Sequence, residues 1–195
     1  MPPIDGVSAR TLTGITGAAI PLPDPDQLTH LQFRRFAGCP VCNLHLRSVV
    51  TRLPEIRAAG IREVAVFHSS AAELRKYTAD LPLDVIADPG RRLYREFGVE
   101  TGARALLDPR GWGTIARAIG TELPGRRGER PAPPARPEGG RLGLPADFLI
   151  HPDGSVLAAK FGAYADDQWS VGELLAVAAR HSGSTTPIPV PTSEE

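Results

Sequence analysis

The sequence has little cysteine, few aromatic residues and no excess of charge of either sign. Only two of its 195 residues are cysteine, which excludes a framework of structural disulfides. Lys+Arg and Asp+Glu each number 22, so no whole-molecule field would hold nucleic acid or an anionic membrane surface. No apolar run reaches the about 20 residues of a membrane-spanning helix, and the N-terminus lacks the pattern of a signal peptide. We therefore expect a cytoplasmic protein with no nucleic-acid partner and no membrane partner.

The sequence also lacks internal repeats and glycine-rich phosphate-binding motifs. Without a G-x-G-x-x-G run or a P-loop, it implies no bound nucleotide, and we expect no cofactor. The length suits a single domain. Gly and Pro number 20 each, which indicates considerable loop content.

Apolar periodicity alternates between strands and helices along the chain. Strands are expected at residues 31–36, 61–68, 83–87, 146–150 and 156–161. Helices are expected at residues 42–59, 70–80, 91–97, 111–119 and 170–181. Pro54 should bend the first helix, because an interior proline removes a hydrogen bond. Parallel strands joined by helices and closed by an antiparallel hairpin predict an α/β fold, with a mixed central sheet flanked by helices.

Composition divides the chain into three parts. We expect an extended N-terminal segment at 1–28, with a short strand near 17–20, a folded domain at 29–181 and a disordered Ser/Thr/Pro tail at 182–195. Within the domain, residues 120–143 are rich in Gly, Pro and Arg. They predict a long surface insertion before the C-terminal hairpin.

Both cysteines lie together in the run Cys39-Pro40-Val41-Cys42, between a strand and a helix. A disulfide across so short a loop contributes little stability, so the pair indicates redox or metal chemistry. At a helix N-terminus, the dipole and unpaired N–H groups lower the pKa of Cys39. Cys42 lies one turn further along and can approach Cys39 to close a disulfide.

Three basic residues near the pair have two interpretations. Arg34 and Arg35 are typical of solvated strand positions, and His45 is typical of a helix surface. Alternatively, they add positive potential beside the thiols, and His45 helps to move protons. Two rival interpretations of the pair itself are thiols that merely pack and a zinc site using Cys39, Cys42 and His45, which would need a fourth ligand.

The run Leu144-Pro145 before a predicted strand is the second informative place. A cis-proline opposite the cysteine loop would let backbone near Pro145 pair with an extended substrate, and the alternative is an ordinary strand-opening proline. We predict the cis bond, and we expect Pro40, Leu144 and Pro145 to bind substrate. Asp147 is a candidate buried acid that takes protons, or else a solvent-facing strand residue.

These features resemble the thioredoxin superfamily, and more narrowly the AhpC/TSA peroxiredoxin-like proteins. The runs that carry the resemblance are FRRFAGCPVCNLHLR, FHSSAAELRKY, VIADPGRRLYREFGVE and LGLPADFLIHPDGSVLAAKFGAYADDQWSVGELL. It covers about residues 30–180, and members share a basic Gly/Pro-rich insertion before the hairpin. The resemblance implies a thioredoxin-like fold, with Cys39 as the attacking thiol and Cys42 as the resolving thiol.

The chain departs from the peroxiredoxin pattern in two respects. Peroxiredoxins carry a threonine three residues before the peroxidatic cysteine, whereas Phe36 holds that position relative to Cys39. They also carry a nearby arginine, for which Arg141 or Arg104 would substitute only if the fold brings it close. The resemblance also leaves open that Cys42, and not Cys39, is the peroxide-reactive thiol.

The sequence therefore predicts a thiol-dependent oxidoreductase that cycles Cys39 and Cys42 between dithiol and disulfide. Its substrate would be a peroxide or a disulfide, and its partner an external reductant, either a thioredoxin-like protein or a low-molecular-weight thiol. Whether it forms a homodimer stays open. The alternative is a non-catalytic module of the same fold that senses oxidants or binds zinc.

Overall fold

The computed structural model describes residues 4–99, 108–123 and 131–182. Its strands are β1 (Arg10–Thr13), β2 (Ala19–Leu22), β3 (Leu28–Phe33), β4 (Ile61–Phe67), β5 (Asp84–Ala87), β6 (Ala146–Ile150) and β7 (Val156–Phe161). Its α-helices are α1 (Pro40–Thr51), α2 (Leu53–Ala58), α3 (Ala71–Thr78), α4 (Arg92–Glu96), α5 (Trp112–Thr121) and α6 (Val171–Ser182). The order of strands and helices agrees with the predicted order from residue 28 onwards.

Five strands form the central sheet in the order β5-β4-β3-β6-β7. β3 pairs in parallel with β4, and β4 pairs in parallel with β5. β6 runs antiparallel to both β3 and β7. The predicted mixed sheet, with its C-terminal hairpin, is therefore confirmed.

Apolar side chains cover both faces of this sheet. Odd-numbered residues of β3, such as Leu31 and Phe33, pack with Tyr94 and Phe97 from the region of α4. The opposite face packs against α1, α3 and α6, for example through Leu46, which belongs to the same cluster as Ala65 and Phe67 of β4. Burial on both faces explains the nearly continuous apolar run of the central strand β4.

The long first helix breaks where proline predicts. α1 ends at Thr51, Arg52 has a non-helical backbone, and α2 starts at Leu53 with Pro54 in its first turn. A proline in the first turn costs no hydrogen bond, because the first N–H groups of a helix have no partner within it. Gly60 then ends α2 with φ of 69°, a conformation that favours glycine.

The N-terminal segment is more regular than the sequence indicates. β1 and β2 pair as an antiparallel hairpin, of which only a strand near β2 was expected. The hairpin joins the main sheet through Ile15 N–H, which donates to Val85 O at 2.9 Å. β1 alternates between half-buried and exposed positions, so it carries little apolar signal, and its pairing with β2 fixes it.

The insertion predicted at 120–143 falls partly outside the described residues. α5 extends to Thr121, and residues 131–143 form no helix or strand longer than a bridge. The predicted disordered tail lies outside the described residues, apart from Ser182, which ends α6. Within the described ranges, every helix is too short or too polar to cross a membrane.

Candidate active site

Cys39 lies where the chain leaves the carboxyl end of β3 and enters α1. It caps α1 with an extended backbone, and Pro40 follows at the start of the helix. Cys42 lies one turn further along. Both cysteines are free thiols, and both are buried, with 1% of Cys39 exposed.

Glycine at position 38 allows this sharp entry into the helix. Gly38 has φ of 73°, which other residues rarely adopt. A Cβ atom there would come within 2.7 Å of the Tyr77 ring and 2.9 Å of Pro134 Cδ. The residue before Cys39 is therefore held between α3 and the segment that contains Pro134.

Arg35 places its guanidinium group against the first thiol. Its Nη1 lies 3.8 Å from Cys39 Sγ, and the Arg35 side chain is buried. Burial alone would raise the pKa of the Cys39 thiol, but a hydrogen bond from Cys42 and the charge of Arg35 outweigh burial. Backbone N–H groups of Val41 and Cys42 act in the same direction, and the pKa falls to about 6.

The pKa of Cys42 moves in the opposite direction. Burial raises it well above the ordinary value of a thiol, and the neighbouring Cys39 sulfur raises it further. At neutral pH the arrangement therefore favours a thiolate at Cys39 and a protonated thiol at Cys42. This is the protonation pattern of a nucleophile next to a resolving thiol.

Beneath the cysteine helix, Arg34 is the centre of a buried polar network. Its guanidinium bonds to Gln32 Oε1 at 2.9 Å, Gln168 Oε1 at 3.0 Å, His45 Nε2 at 3.0 Å and Asp147 Oδ1 at 2.7 Å. Neither Arg34 nor Asp147 has exposed surface. The arginine therefore ties α1 to β6 and to the loop before α6.

Asp147 and His30 extend this network along the sheet. Asp147 Oδ2 accepts from the Trp169 backbone N–H at 3.0 Å, and Asp147 Oδ1 lies 3.3 Å from His30 Nε2. Burial would raise the pKa of Asp147, but the charges of Arg34 and His30 hold it well below its usual range. Burial lowers the pKa of His30, whereas Glu63 and Asp147 outweigh it and raise the pKa to about 9. At neutral pH Asp147 is thus an ionised carboxylate.

These findings correct the preferred interpretation of three basic residues. Arg34 and Arg35 are buried rather than solvated, and His45 is buried rather than on the surface. Burial and the charge of Arg34 lower the pKa of His45 well below its ordinary value, so the ring is neutral. The cause is tertiary, because Asp147, the partner of Arg34, lies 113 residues away in sequence.

The cis bond predicted at Pro145 is not present. Within the described residues, the cis peptide bond is Leu22–Pro23, so Leu144–Pro145 is trans. Pro145 precedes β6, and its carbonyl accepts from the Gly162 N–H at 2.9 Å, as a strand-opening proline does. The pairing of Phe33 with Ala146 nevertheless sets Leu144 and Pro145 beside the residues that follow β3.

Residues 131–143, here called the strap, lie across the carboxyl end of the parallel strands. Hydrogen bonds from α3 and its N-terminal cap and from two arginines hold the strap to the domain. Ser70 N–H donates to Glu138 Oε2 at 2.8 Å, and Tyr77 OH donates to Ala132 O at 3.0 Å. The Arg91 side chain donates to the Gly139 carbonyl. The Arg35 side chain donates to the Arg141 carbonyl. The strap thus covers the loop that carries Cys39.

Arg141 does not supply a charge to the thiol. Its guanidinium donates to Pro134 O and Ala135 O within the strap, and it lies 5.7 Å from the centre of the Phe36 ring. The second candidate, Arg104, lies outside the described residues. The arginine that contacts Cys39 is Arg35, four residues earlier in the chain, in agreement with the alternative interpretation that it adds positive potential beside the thiols.

The zinc interpretation finds no support in the described part of the chain. No group of three or more His, Cys, Asp or Glu residues in residues 4–99, 108–123 and 131–182 is arranged to hold a metal ion. His45, the third suggested ligand, is instead bonded to Arg34 through Nε2.

Comparison with known proteins gives one matching family model and several similar solved structures. Residues 48–163 match the family model described as AhpC/TSA antioxidant enzyme, a match that begins after both cysteines. No curated protein matches the chain. Peroxidoxin BcpB from Mycobacterium tuberculosis is a similar solved structure, with a TM-score of 0.62, 16% identity, and coverage of 93% of this chain and 97% of that chain. Peroxiredoxin Q of Xanthomonas campestris has a TM-score of 0.56, 17% identity and 90% coverage of both chains.

Similarity at this level of identity shows the fold alone, and it confirms the thioredoxin-like architecture. The family model covers more than half of the chain, and it supports thiol-dependent redox chemistry. The chain belongs to the AhpC/TSA antioxidant enzyme family.

Proposed function

We propose that this protein is a thiol peroxidase in which Cys39 attacks a peroxide and Cys42 resolves the product. The observation that carries the proposal is the setting of Cys39, whose sulfur contacts Arg35 and the first N–H groups of α1. Those groups stabilise a thiolate, which is the nucleophilic form of cysteine. A guanidinium beside the sulfur is also suited to polarising the O–O bond of a peroxide.

The first step consumes the peroxide. The Cys39 thiolate attacks one oxygen of ROOH, an S–O bond forms and the O–O bond breaks. Its electron pair leaves on the second oxygen, which takes a proton and departs as ROH. Cys39 is oxidised to a sulfenic acid.

The second step closes the disulfide. Cys42 attacks the sulfur of the sulfenic acid, an S–S bond forms, and the hydroxyl leaves as water with the proton of Cys42. Two thiol groups of an external reductant then reduce the disulfide and are themselves oxidised to a disulfide. The family implies a thioredoxin-like reductant, and a low-molecular-weight thiol is the other candidate.

The position of the strap favours a small substrate over an extended polypeptide. Cys39 is 1% exposed, and Pro134 of the strap lies against Gly38 next to it. An extended polypeptide needs open backbone beside the thiol, whereas a hydroperoxide needs space for only a few atoms. Peroxides are therefore better suited than protein disulfides as substrates of this site. Leu144 and Pro145 line the same edge of the sheet, and with Pro40 they remain the proposed substrate-contacting positions.

Disulfide reduction is the second candidate function. The observation in its favour is the Cys-x-x-Cys spacing, which places both thiols within one turn of α1. Dithiols with this spacing exchange with other disulfides through a mixed-disulfide intermediate.

Parallel assays of hydrogen peroxide consumption and insulin-disulfide reduction, both with dithiothreitol, separate these functions. We expect the wild type to consume peroxide and Cys39→Ser to lose that activity. Cys42→Ser should still form one sulfenic acid per chain, trapped by dimedone and detected by mass spectrometry. Insulin reduction without peroxide consumption would favour the disulfide reductase. Absence of both activities, together with bound zinc or a stable oxidised state, would favour the sensing or metal-binding module.

A further inference from the structure

His68 follows β4 at the same edge of the sheet as the cysteine loop. β3 and β4 are parallel, with Phe33 paired to Val66, so their carboxyl ends lie side by side. Continuing that register places Arg35 beside His68, and His68 N–H donates to Arg35 O at 3.3 Å. This edge is where open α/β sheets bind ligands. His68 is thus a direct neighbour of the arginine that contacts Cys39.

The His68 side chain is buried without satisfying its polar atoms. It is 1% exposed, and neither ring nitrogen makes a hydrogen bond of normal geometry with any described residue, although the Glu138 backbone lies close. Arg35 Nε, from the neighbouring strand end, is also buried and has no hydrogen-bond partner in the part of the chain that the structure describes. A buried polar group that makes no hydrogen bond destabilises the folded protein. Three such nitrogens at one strand edge call for an explanation other than stability.

Two glycines of the strap cover these nitrogens. A Cβ atom at Gly139 would lie 2.6 Å from His68 Nδ1, and one at Gly143 would lie 2.9 Å from His68 Nε2. The strap therefore rests directly on the imidazole, with no side chain between them.

We propose that His68 is a substrate-binding residue, whose ring N–H donates a hydrogen bond to the leaving oxygen of a hydroperoxide held beside Arg35 and Cys39 once the strap has lifted. This inference rests on the proposed peroxidase function. Burial and the charges of Arg91 and Arg35 lower the pKa of His68 to about 4, so the neutral ring has one N–H donor.

A hydrogen bond from His68 acts on the oxygen that becomes negatively charged in the first step. As Cys39 sulfur bonds to one oxygen, the electron pair of the O–O bond moves to the other oxygen. A fixed donor lowers the energy of that developing negative charge more than it stabilises the neutral peroxide. The ring keeps its proton, and the alkoxide receives its own proton from water.

Two rates measured on the same sample test this role. The first is single-turnover oxidation of Cys39 by hydrogen peroxide, and the second is alkylation of Cys39 by uncharged iodoacetamide, which has no leaving oxygen. For His68→Leu we expect peroxide oxidation to slow by about 100-fold, the usual effect of removing one such donor. Alkylation should stay within about threefold, because the thiolate itself is unchanged.

Two variants serve as controls. His68→Gln keeps an N–H donor near the position of Nε2 and should retain most of the peroxide rate. His151→Gln changes a partly exposed histidine in the turn before β7 and should change neither rate. If His68→Leu does not fold, His68→Ala with added imidazole replaces it, and restoration of the peroxide rate by imidazole is expected.

Three results would overturn the inference. Equal losses in peroxide oxidation and alkylation would mean that His68 only shapes the thiol environment. An unchanged peroxide rate in His68→Leu, or no imidazole effect in His68→Ala, would remove its role while leaving the peroxidase proposal intact. A wild-type protein that alkylates rapidly but does not react with peroxide would overturn the proposed function and this inference with it.

Discussion

Cys39 and Cys42 lie within one turn of α1, but their thiols differ in pKa. Cys39 receives the helix N–H groups, the guanidinium of Arg35 and a hydrogen bond from Cys42. Cys42 lies deeper in the helix and faces a neighbouring sulfur that becomes negative. The difference in pKa between the two thiols thus comes from their positions at the start of a helix.

Alkylation as a function of pH tests this division. In Cys42→Ser, whose hydroxyl keeps a donor, the iodoacetamide rate at Cys39 should rise with pH, with a midpoint near 6. The sign follows from thiolate formation, because a lowered pKa makes the reactive form abundant above that pH. In Cys39→Ser, Cys42 should show no inflection below pH 9. A Cys39 midpoint of 8.5 or higher, as in a free cysteine, would contradict the assignment.

Arg35 carries the second prediction at this scale. Arg35→Gln removes the guanidinium that lies 3.8 Å from Cys39 Sγ, so the Cys39 alkylation midpoint should move to higher pH and the rate at pH 7 should fall. Arg47→Gln is the matched control, because Arg47 lies on the exposed side of α1. Equal midpoints in the two variants would show that Arg35 does not stabilise the thiolate.

The strap is the element that covers the loop carrying Cys39. It is irregular backbone with few apolar contacts, held by hydrogen bonds from α3 and from the side chains of Arg35 and Arg91. Such segments open with low free energy compared with the sheet beneath them. Its sequence of Pro and Gly suits close contact with the loop that carries Cys39.

Neighbouring glycines give a matched test of strap closure. Gly139 and Gly140 both have positive φ, at 70° and 80°, so alanine strains the backbone similarly at either position. Only at Gly139 would the new Cβ meet His68. We expect Gly139→Ala to raise the reaction rate of Cys39 with bulky 5,5′-dithiobis(2-nitrobenzoate) by about tenfold, since overpacking costs about 1–3 kcal/mol. Equal rates in Gly139→Ala and Gly140→Ala would contradict closure on His68.

On the scale of the whole molecule, the Arg34 network connects the cysteine helix to the far half of the chain. Arg34 leads out of β3, His45 belongs to α1, Asp147 to β6 and Gln168 to the loop before α6. All four side chains are buried. Their bonds fix how α1 lies on the sheet, and therefore where Cys39 meets Arg35.

Removing one partner of the Arg34 network should lower the free energy of unfolding by much more than removing one partner of an exposed ion pair. Arg34→Met leaves the Asp147 carboxylate buried without its main partner, and we expect a loss of about 3–5 kcal/mol in the free energy of unfolding, measured in urea. Arg47→Met should change it by less than about 0.5 kcal/mol. The double variant Arg34→Met, Asp147→Leu should recover part of the loss. A loss below about 1 kcal/mol in the single variant would contradict the network's role.

Several elements followed from local sequence alone. Pro54 predicted a bend in the first helix, and the structure has two helices, α1 and α2, at that place. The pattern of residues 146–161 predicted the β6–β7 hairpin with its observed bounds. The hairpin β1–β2 was only half predicted, because β1 shows no apolar alternation strong enough to be recognised. The cis bond at Pro145 was predicted from the nearby Cys-Pro-Val-Cys motif, and the observed backbone at that position is trans.

By itself, the sequence determined that two cysteines begin a helix after a buried strand, because a helix start and a strand period depend on neighbouring residues. The tertiary structure decided which charged side chains lie near those cysteines. Burial of Arg34 required Asp147 from a distant strand, and closure over Cys39 required the strap to fold back. A charged side chain can be buried only where a partner compensates its lost hydration, and that partner is known only once the chain has folded.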